Sequence, residues 1–524
     1  MKKGTSQDQK FYDILVISDD VVGDKMAGPG IRAWEISQCL AQNFNVVLAI
    51  PDYSPINLEG KEFPFDLILY SLSQASRLKK VAQRSRIILI QGYILSKFPF
   101  LKELPAYLII DLYVPFPLEN LFVHKWKLKS REEREFIHKN DLRVFNEQIL
   151  YGDHFLCASQ RQRDLFLGAF LSLNRINPET LDNDPDLRNL ISVVPFGLTE
   201  DKKVNREIEY IQQKEREEAE LPQNENAFKF NEEMDYEISD HRLAVEKDGE
   251  NKNNPVPRNA LGPIRQYFPQ TGSEDIVLIW GGVITNWFDP LTLLKAVKKV
   301  ASVEPRVKLF FLSTGHPNPL LPEFEMAREA ISLAKKLELL DRFVFFHEEW
   351  VDYQRRGDYF RDADIGVSIH RIHFETYFSF RTRILDYFKY ELPIICTEGD
   401  YLAELIKEKN LGYVVPDGDE EFLAETILKL MNSPALRQEM KNNIQQIKPL
   451  FSWTKVTQPL LIYCQKALAG KVKKVGGKRV AEINTLFVKP KNYFREAGKK
   501  ILGPLWMKMS TYPLLIKIRK YFGQ

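Results

Sequence analysis

DILVISDDVVGDKMAGPGIRAWE, Asp13 to Glu35, places a strand-forming apolar run ahead of Gly28-x-Gly30-x-x-Ala33, which opens a helical pattern. This is the glycine spacing of a dinucleotide-binding turn, so its reading decides which α/β architecture follows. A dinucleotide turn needs its first glycine at the strand end, where pyrophosphate meets the helix N-terminus. Here the strand ends near Ser18, and DDVVGDKMA separates it from Gly28, too long a stretch for that turn. Asp52, after the second apolar run, would mimic a ribose-binding acid, but an acid is common there by chance. The remaining reading keeps the physics without the dinucleotide. Gly28 and Gly30 let backbone approach a ligand closely. Arg32 is a cation where the helix dipole favours an anion, which suggests a bound anionic group beside it. A helix-entry loop with a surface arginine is the structural alternative.

Working outward, short apolar runs alternate with helical patterns: DILVIS, NVVLAI, DLILY, RIILIQ, YLIID, HFLCAS and ISVVP. The alternation stops between Asp201 and Arg258, where 16 acids and 10 bases leave few large apolar residues. Such a stretch cannot bury enough surface to offset its ordering entropy and reads as a charged insertion or linker. The pattern then resumes with IVLIW, VKLFFL, FVFF, DIGVSI, PIICT and GYVV. Buried runs spaced for crossover helices predict parallel sheets covered on both faces. The fold class expected is therefore α/β with two Rossmann-like doubly wound domains. Residues 1–200 form the first, completed by a C-terminal helix at 453–470. Residues 259–452 form the second, and 471–524 form a basic amphipathic tail.

The chain of 524 residues has a net charge of +2 that conceals an asymmetry. From Lys471 onward 14 Lys/Arg face two acids, leaving the rest ten charges negative. Lys and Arg mixed with Trp, Tyr, Leu and Ile in that tail suit an anionic membrane surface, in preference to nucleic acid. No apolar run reaches the length of a membrane span. The four cysteines are widely spaced, with no zinc pattern or disulfide framework. A cytoplasmic location, peripheral at the membrane face, is the expectation.

Candidate chemistry concentrates in HRIHFETYFSFRTRILDYFKYELPIICTEGD, His370 to Asp400. Arg381 and Arg383 open a helix after a strand, and guanidinium groups donate to phosphate oxygens in a fixed fork. Asp386 can accept from the paired hydroxyls of a ribose, or pair with Arg383 one turn away. Upstream, Gly281 and Gly282 end the strand IVLIW, Asn286 and Trp287 follow, and Asp289 caps the next helix with Pro290 at its first position. Asp111 ends YLIID on the ligand side of the first half, where a turn-forming role is the alternative. His370 and His373 lack the carboxylates that would complete a metal site, so none is expected.

These stretches, with IQGYIL, GDHFLCASQRQRD, VVPFGL and GHPNP, occur in the order found in retaining GT-B glycosyltransferases, and the chain resembles glycosyltransferase family 4 over residues 10–200 and 260–455. The family's paired-glutamate signature is altered. Asp386 stands in the second position, while Phe378 occupies the first and Glu375 lies three residues earlier. The resemblance implies a nucleotide-sugar donor with no other cofactor, and a glycan or lipid-linked acceptor. It also implies retention of anomeric configuration and a place in polysaccharide or glycolipid synthesis. It assigns Asp386 to the ribose, Glu375 to the transferred sugar, Asp111 to the sugar or acceptor, and the region of Trp350 to the base. The family's phosphate-binding Arg and Lys after the first strand of the second half are replaced by WGGVITNWFDP, so Arg32, Arg381 and Arg383 are expected to supply that charge, with Gly28, Gly30, Gly282 and Asn286 at the donor. An inactive membrane-associated scaffold and a nucleotide-sugar epimerase are the competing functions.

Overall fold

The computed structural model describes residues 10–56, 62–127, 130–199, 262–267, 274–319 and 324–477. The charged stretch 201–258 and the tail from residue 478 onward lie outside the described residues.

Each of the thirteen apolar runs becomes a strand, because β-branched and aromatic residues in continuous series tolerate burial on both faces. In the first unit these are β1 (Tyr12–Ile17), β2 (Val46–Pro51), β3 (Asp66–Tyr70), β4 (Ser85–Gln91), β5 (Tyr107–Asp111), β6 (His154–Cys157) and β7 (Ile191–Val193). They pair in parallel in the order β3-β2-β1-β4-β5-β6-β7. In β1, Ile14 faces Val46 on one side and Ile87 on the other, and Ile14 through Ile17 are wholly buried.

The second unit repeats the logic with β8 (Ile276–Trp280), β9 (Val307–Phe311), β10 (Val344–Phe346), β11 (Ile365–Ser368), β12 (Ile394–Thr397) and β13 (Gly412–Val415), in the order β10-β9-β8-β11-β12-β13. Strand order reverses between β1 and β4 in one sheet and between β8 and β11 in the other. Such switch points open a crevice beyond the strands' carboxyl ends. Here the two crevices face each other.

After the second unit the chain runs back to the first. Leu198 donates its amide to Phe451 and bridges Ser452 in parallel. The buried Trp453 packs beside Phe196, with ring centroids 5.6 Å apart. The helix Gln458–Leu468 then lies on the first sheet, where Tyr463 stacks on His154 at 3.8 Å. The segment that follows is pinned there as well: Lys474 Nζ donates to the carbonyls of Leu104 and Ala106, both at 2.6 Å, and the amides of Val475 and Gly476 donate to Asp153. Among the described residues no helix is long and apolar enough to cross a membrane.

Candidate active site

A cleft of about 1630 Å³ separates the units, lined by Asp19, Gln91 and Asp111 at strand ends of the first and by Gly281, Gly282, Leu312 and Ser313 of the second. The second-unit wall is set by the loop after β8. The Gly281 amide donates to Tyr387 Oη at 3.0 Å, and that hydroxyl donates to Val367 O at 2.6 Å, tying the loop to β11. Gly282 has φ +104°, a left-handed backbone that glycine adopts without steric cost. Asp289 caps the helix Pro290–Val303 by accepting from Thr292 N at 3.0 Å.

Arg383 starts the helix Arg383–Lys389 and lines this wall. Its guanidinium carbon lies 3.8 Å from the Phe288 ring centroid and 4.6 Å from that of Trp280, and Nη2 donates to Val283 O at 2.9 Å. Nη1 is buried and has no hydrogen-bond partner among the described residues. No carboxylate there forms an ion pair with this side chain, and burial lowers its pKa to about 10. A desolvated cation with a spare donor at the edge of a cavity is a receptor for an anion.

Arg381 also lines the cleft but is half committed. Its Nη2 meets Glu375 Oε2 at 3.1 Å, while its buried Nε has no partner among the described residues. Glu375, 5 % exposed, accepts in addition from Ser379 Oγ and is not on the cleft lining. The structure therefore gives Glu375 the task of holding Arg381, in place of the direct sugar contact the resemblance implied. Asp386 lines the cleft and pairs with Arg356, a residue that sequence reasoning missed. Burial raises the Asp386 carboxyl.

In the first unit, Arg32 departs from expectation. It is wholly buried and donates through Nε and Nη2 to Asp111 at 2.6 and 2.9 Å. It also donates to the carbonyls of Val194 at 2.9 Å and Pro195 at 3.1 Å. Its charge is neutralised inside the first unit, where a diphosphate cannot use it. Asp111 reaches the cleft lining with both carboxylate oxygens already engaged by Arg32, which removes it as a free acid or base.

Gly28 lines the cleft, whereas Gly30 does not. A Cβ at Gly30 would sit 2.1 Å from Val21 O, so this glycine serves close packing of the helix Gly28–Ala41 on the preceding loop. Asn286 is also off the lining, buried, with Oδ1 accepting from Met326 N at 3.2 Å. Trp350 lines the cleft near His316, at 5.9 Å, and burial lowers that histidine's pKa to about 4.

Two further features were missed. Glu119, in the first turn of the helix Phe116–Lys127, lines the cleft; its only sequence signal was its place just beyond the carboxyl end of β5. The second is a set of contacts joining the units. Asn318 Nδ2 donates to Asp20 Oδ1 at 2.7 Å, and Tyr353 N donates to Asp24 O at 2.8 Å. Gln162 Nε2 donates to Tyr113 O and Phe378 O, both at 2.9 Å, and Arg161 Nη1 donates to Tyr377 O and Gly399 O. The units are thus held closed on the cleft. Among the described residues no group of three His, Cys, Asp or Glu is arranged to hold a metal ion.

Two facing Rossmann-like units with a cleft between their switch points define the GT-B fold, and solved glycosyltransferases share it. HepE of Anabaena, solved with UDP-glucose, superimposes with a TM-score of 0.54 at 11% identity, covering 88% of this chain and 100% of its own. Sucrose-phosphate synthase of Thermosynechococcus elongatus gives 0.51 at 14%, covering 87% and 99%. WaaG, a glycosyltransferase involved in lipopolysaccharide biosynthesis, gives 0.50 at 13%, covering 86% and 98%. Residues 274–433, within the second unit, match the family model for glycosyl transferases group 1. No curated protein matches the chain in sequence.

Proposed function

We propose that the protein is a glycosyltransferase that moves a sugar from a nucleoside-diphosphate donor to a glycan or lipid-linked hydroxyl acceptor, with retention and without a bound metal. The observation that carries this reading is Arg383, a buried guanidinium with an unused donor and no carboxylate partner on the cleft wall of the group 1 domain. In the reaction, the bond between the anomeric carbon and the diphosphate oxygen breaks, and its electron pair stays with the diphosphate. The acceptor oxygen bonds to the anomeric carbon from the same face, and its proton passes to a leaving phosphate oxygen. Arg383 and the backbone at Gly282 meet the growing negative charge. Membrane contact through 471–524 belongs to this reading, and removing those residues is expected to abolish sedimentation with anionic vesicles.

The reading is tested by calorimetric titration of UDP, GDP and ADP and their glucose or mannose conjugates, together with donor hydrolysis. Arg383→Ala is expected to lower turnover about 10²-fold, the usual effect of removing one such donor. Binding of no nucleotide, or unchanged turnover in a folded Arg383→Ala variant, would overturn it.

A further inference from the structure

We propose that Glu119 determines donor specificity: it accepts hydrogen bonds from the hydroxyls of a neutral sugar and turns away sugars that carry a carboxylate. The inference rests on the transferase reading and concerns the same cleft.

Charge divides the cleft. On the Arg383 side no carboxylate pairs with the guanidinium among the described residues, and a buried donor stands unused. Behind Arg381, off the cleft lining, lie two buried acids. Glu375 is bound to Arg381 at 3.1 Å. Asp400, wholly buried, caps the helix Tyr401–Glu408 through Oδ1, and its Oδ2 has no partner among the described residues.

Glu119 approaches from the other unit. Its helix meets the short helix Phe374–Phe378 that carries Glu375, and the Phe122 ring lies 4.5 Å from His373. The Glu119 carboxylate makes no hydrogen bond among the described residues, and the residue lines the cleft. Burial and then Glu375 raise its pKa to about 7, with Arg381 opposing. Burial raises Asp400 to about 6, again with Arg381 opposing and Glu375 adding. Of these three carboxyl groups Glu119 is the one on the cleft lining.

A further anion beside the half-buried Glu119 meets like charge, which costs more there than the same encounter in bulk water. A diphosphate is therefore directed to Arg383. What suits the acidic side is a neutral polyol, whose hydroxyls donate to carboxylate oxygens. The nine-tenths-buried Arg381, with its Nε unpartnered, can donate to the same group. Glu119 reaches this place from the opposite unit.

The test uses the full chain and probes that differ at a single carbon. UDP, UDP-glucose and UDP-glucuronate are titrated calorimetrically, with GDP, GDP-mannose and GDP-mannuronate in parallel. The nucleotide that binds carries the comparison. The wild type is expected to bind the neutral sugar at least about tenfold more tightly than its uronate. Glu119→Gln, which keeps size and hydrogen bonding, is expected to shrink that preference to under about threefold with unchanged affinity for the bare nucleotide. Glu119→Asp, which keeps the charge, is expected to retain the preference. An unaltered ratio in Glu119→Gln, or a wild-type preference for the uronate, overturns the proposal while leaving the transferase reading standing. Failure of every nucleotide to bind sinks that reading instead, and the proposal with it.

Discussion

Arg32 spends its donors on both oxygens of Asp111 and on the carbonyls of Val194 and Pro195. Removing one member of such a buried pair leaves the other charge unpaired, at a cost of about 3–5 kcal/mol. Asp111→Ala and Arg32→Ala are each expected to lower stability by that amount in urea denaturation. Replacing both residues by apolar ones of similar volume is expected to recover most of the loss. Arg383 contrasts with it: Phe288 and Trp280 cover its faces, and one nitrogen is left over. Both arginines open helices, and in the sequence both read as anion receptors. What separates them is a partner far along the chain. Asp111 lies 79 residues from Arg32, and no local pattern reports that distance. For Arg383 the sequence left open a pair with Asp386 one turn away, and the structure turns Asp386 to Arg356 instead.

Strands were the most legible elements, since runs such as IVLIW and RIILIQ leave a chain little choice but burial on both faces. Short connections were less so. The segment from His373 to Arg383 folds as the five-residue helix Phe374–Phe378 and a turn, so Glu375 swings back onto Arg381. Counting positions along the signature could not anticipate that, because the backbone path is set by the other unit. The path is held by the N-terminus of the helix Gln160–Ser172, where Gln162 bonds Phe378 O on one side of the cleft and Tyr113 O on the other. Its oxygen accepts from Ala158 N, so the amide is fully oriented. Gln162→Ala is expected to lower kcat about tenfold, the worth of a buried hydrogen bond or two. Nucleotide affinity, which the proposed function assigns to Arg383, is expected to stay within about threefold. Single-turnover kinetics beside a binding titration separate the two effects.

Across the whole molecule, His154 joins the last described helix to the first sheet. It stacks on Tyr463, Nδ1 meets Asn189 O at 2.8 Å, and burial lowers its pKa to about 4. The unfolded chain, with an ordinary histidine, takes up the proton first. Stability from this site is therefore present above about pH 6.5 and is lost as pH falls toward 4. Glu119 and Asp400, raised by burial, contribute with the opposite sign: their stabilisation fades as pH climbs through 6 and 7. The difference between wild type and His154→Gln isolates the histidine. Thermal unfolding at pH 7.5 and pH 5 is expected to show a smaller acid loss in the variant, by roughly 1–2 kcal/mol. Equal losses would place the acid sensitivity elsewhere.

The parallel bridge between Leu198 and Ser452 acts as a book's spine. The outgoing chain at Leu198 and the returning chain at Phe451 and Ser452 are fastened together there. A swing about that line is the opening motion expected. Distances near the spine would then barely change when substrate enters, and those at the fore-edge, where Arg161 grips Tyr377 and Gly399, would change most. Spin labels placed at the two locations would read a single angle.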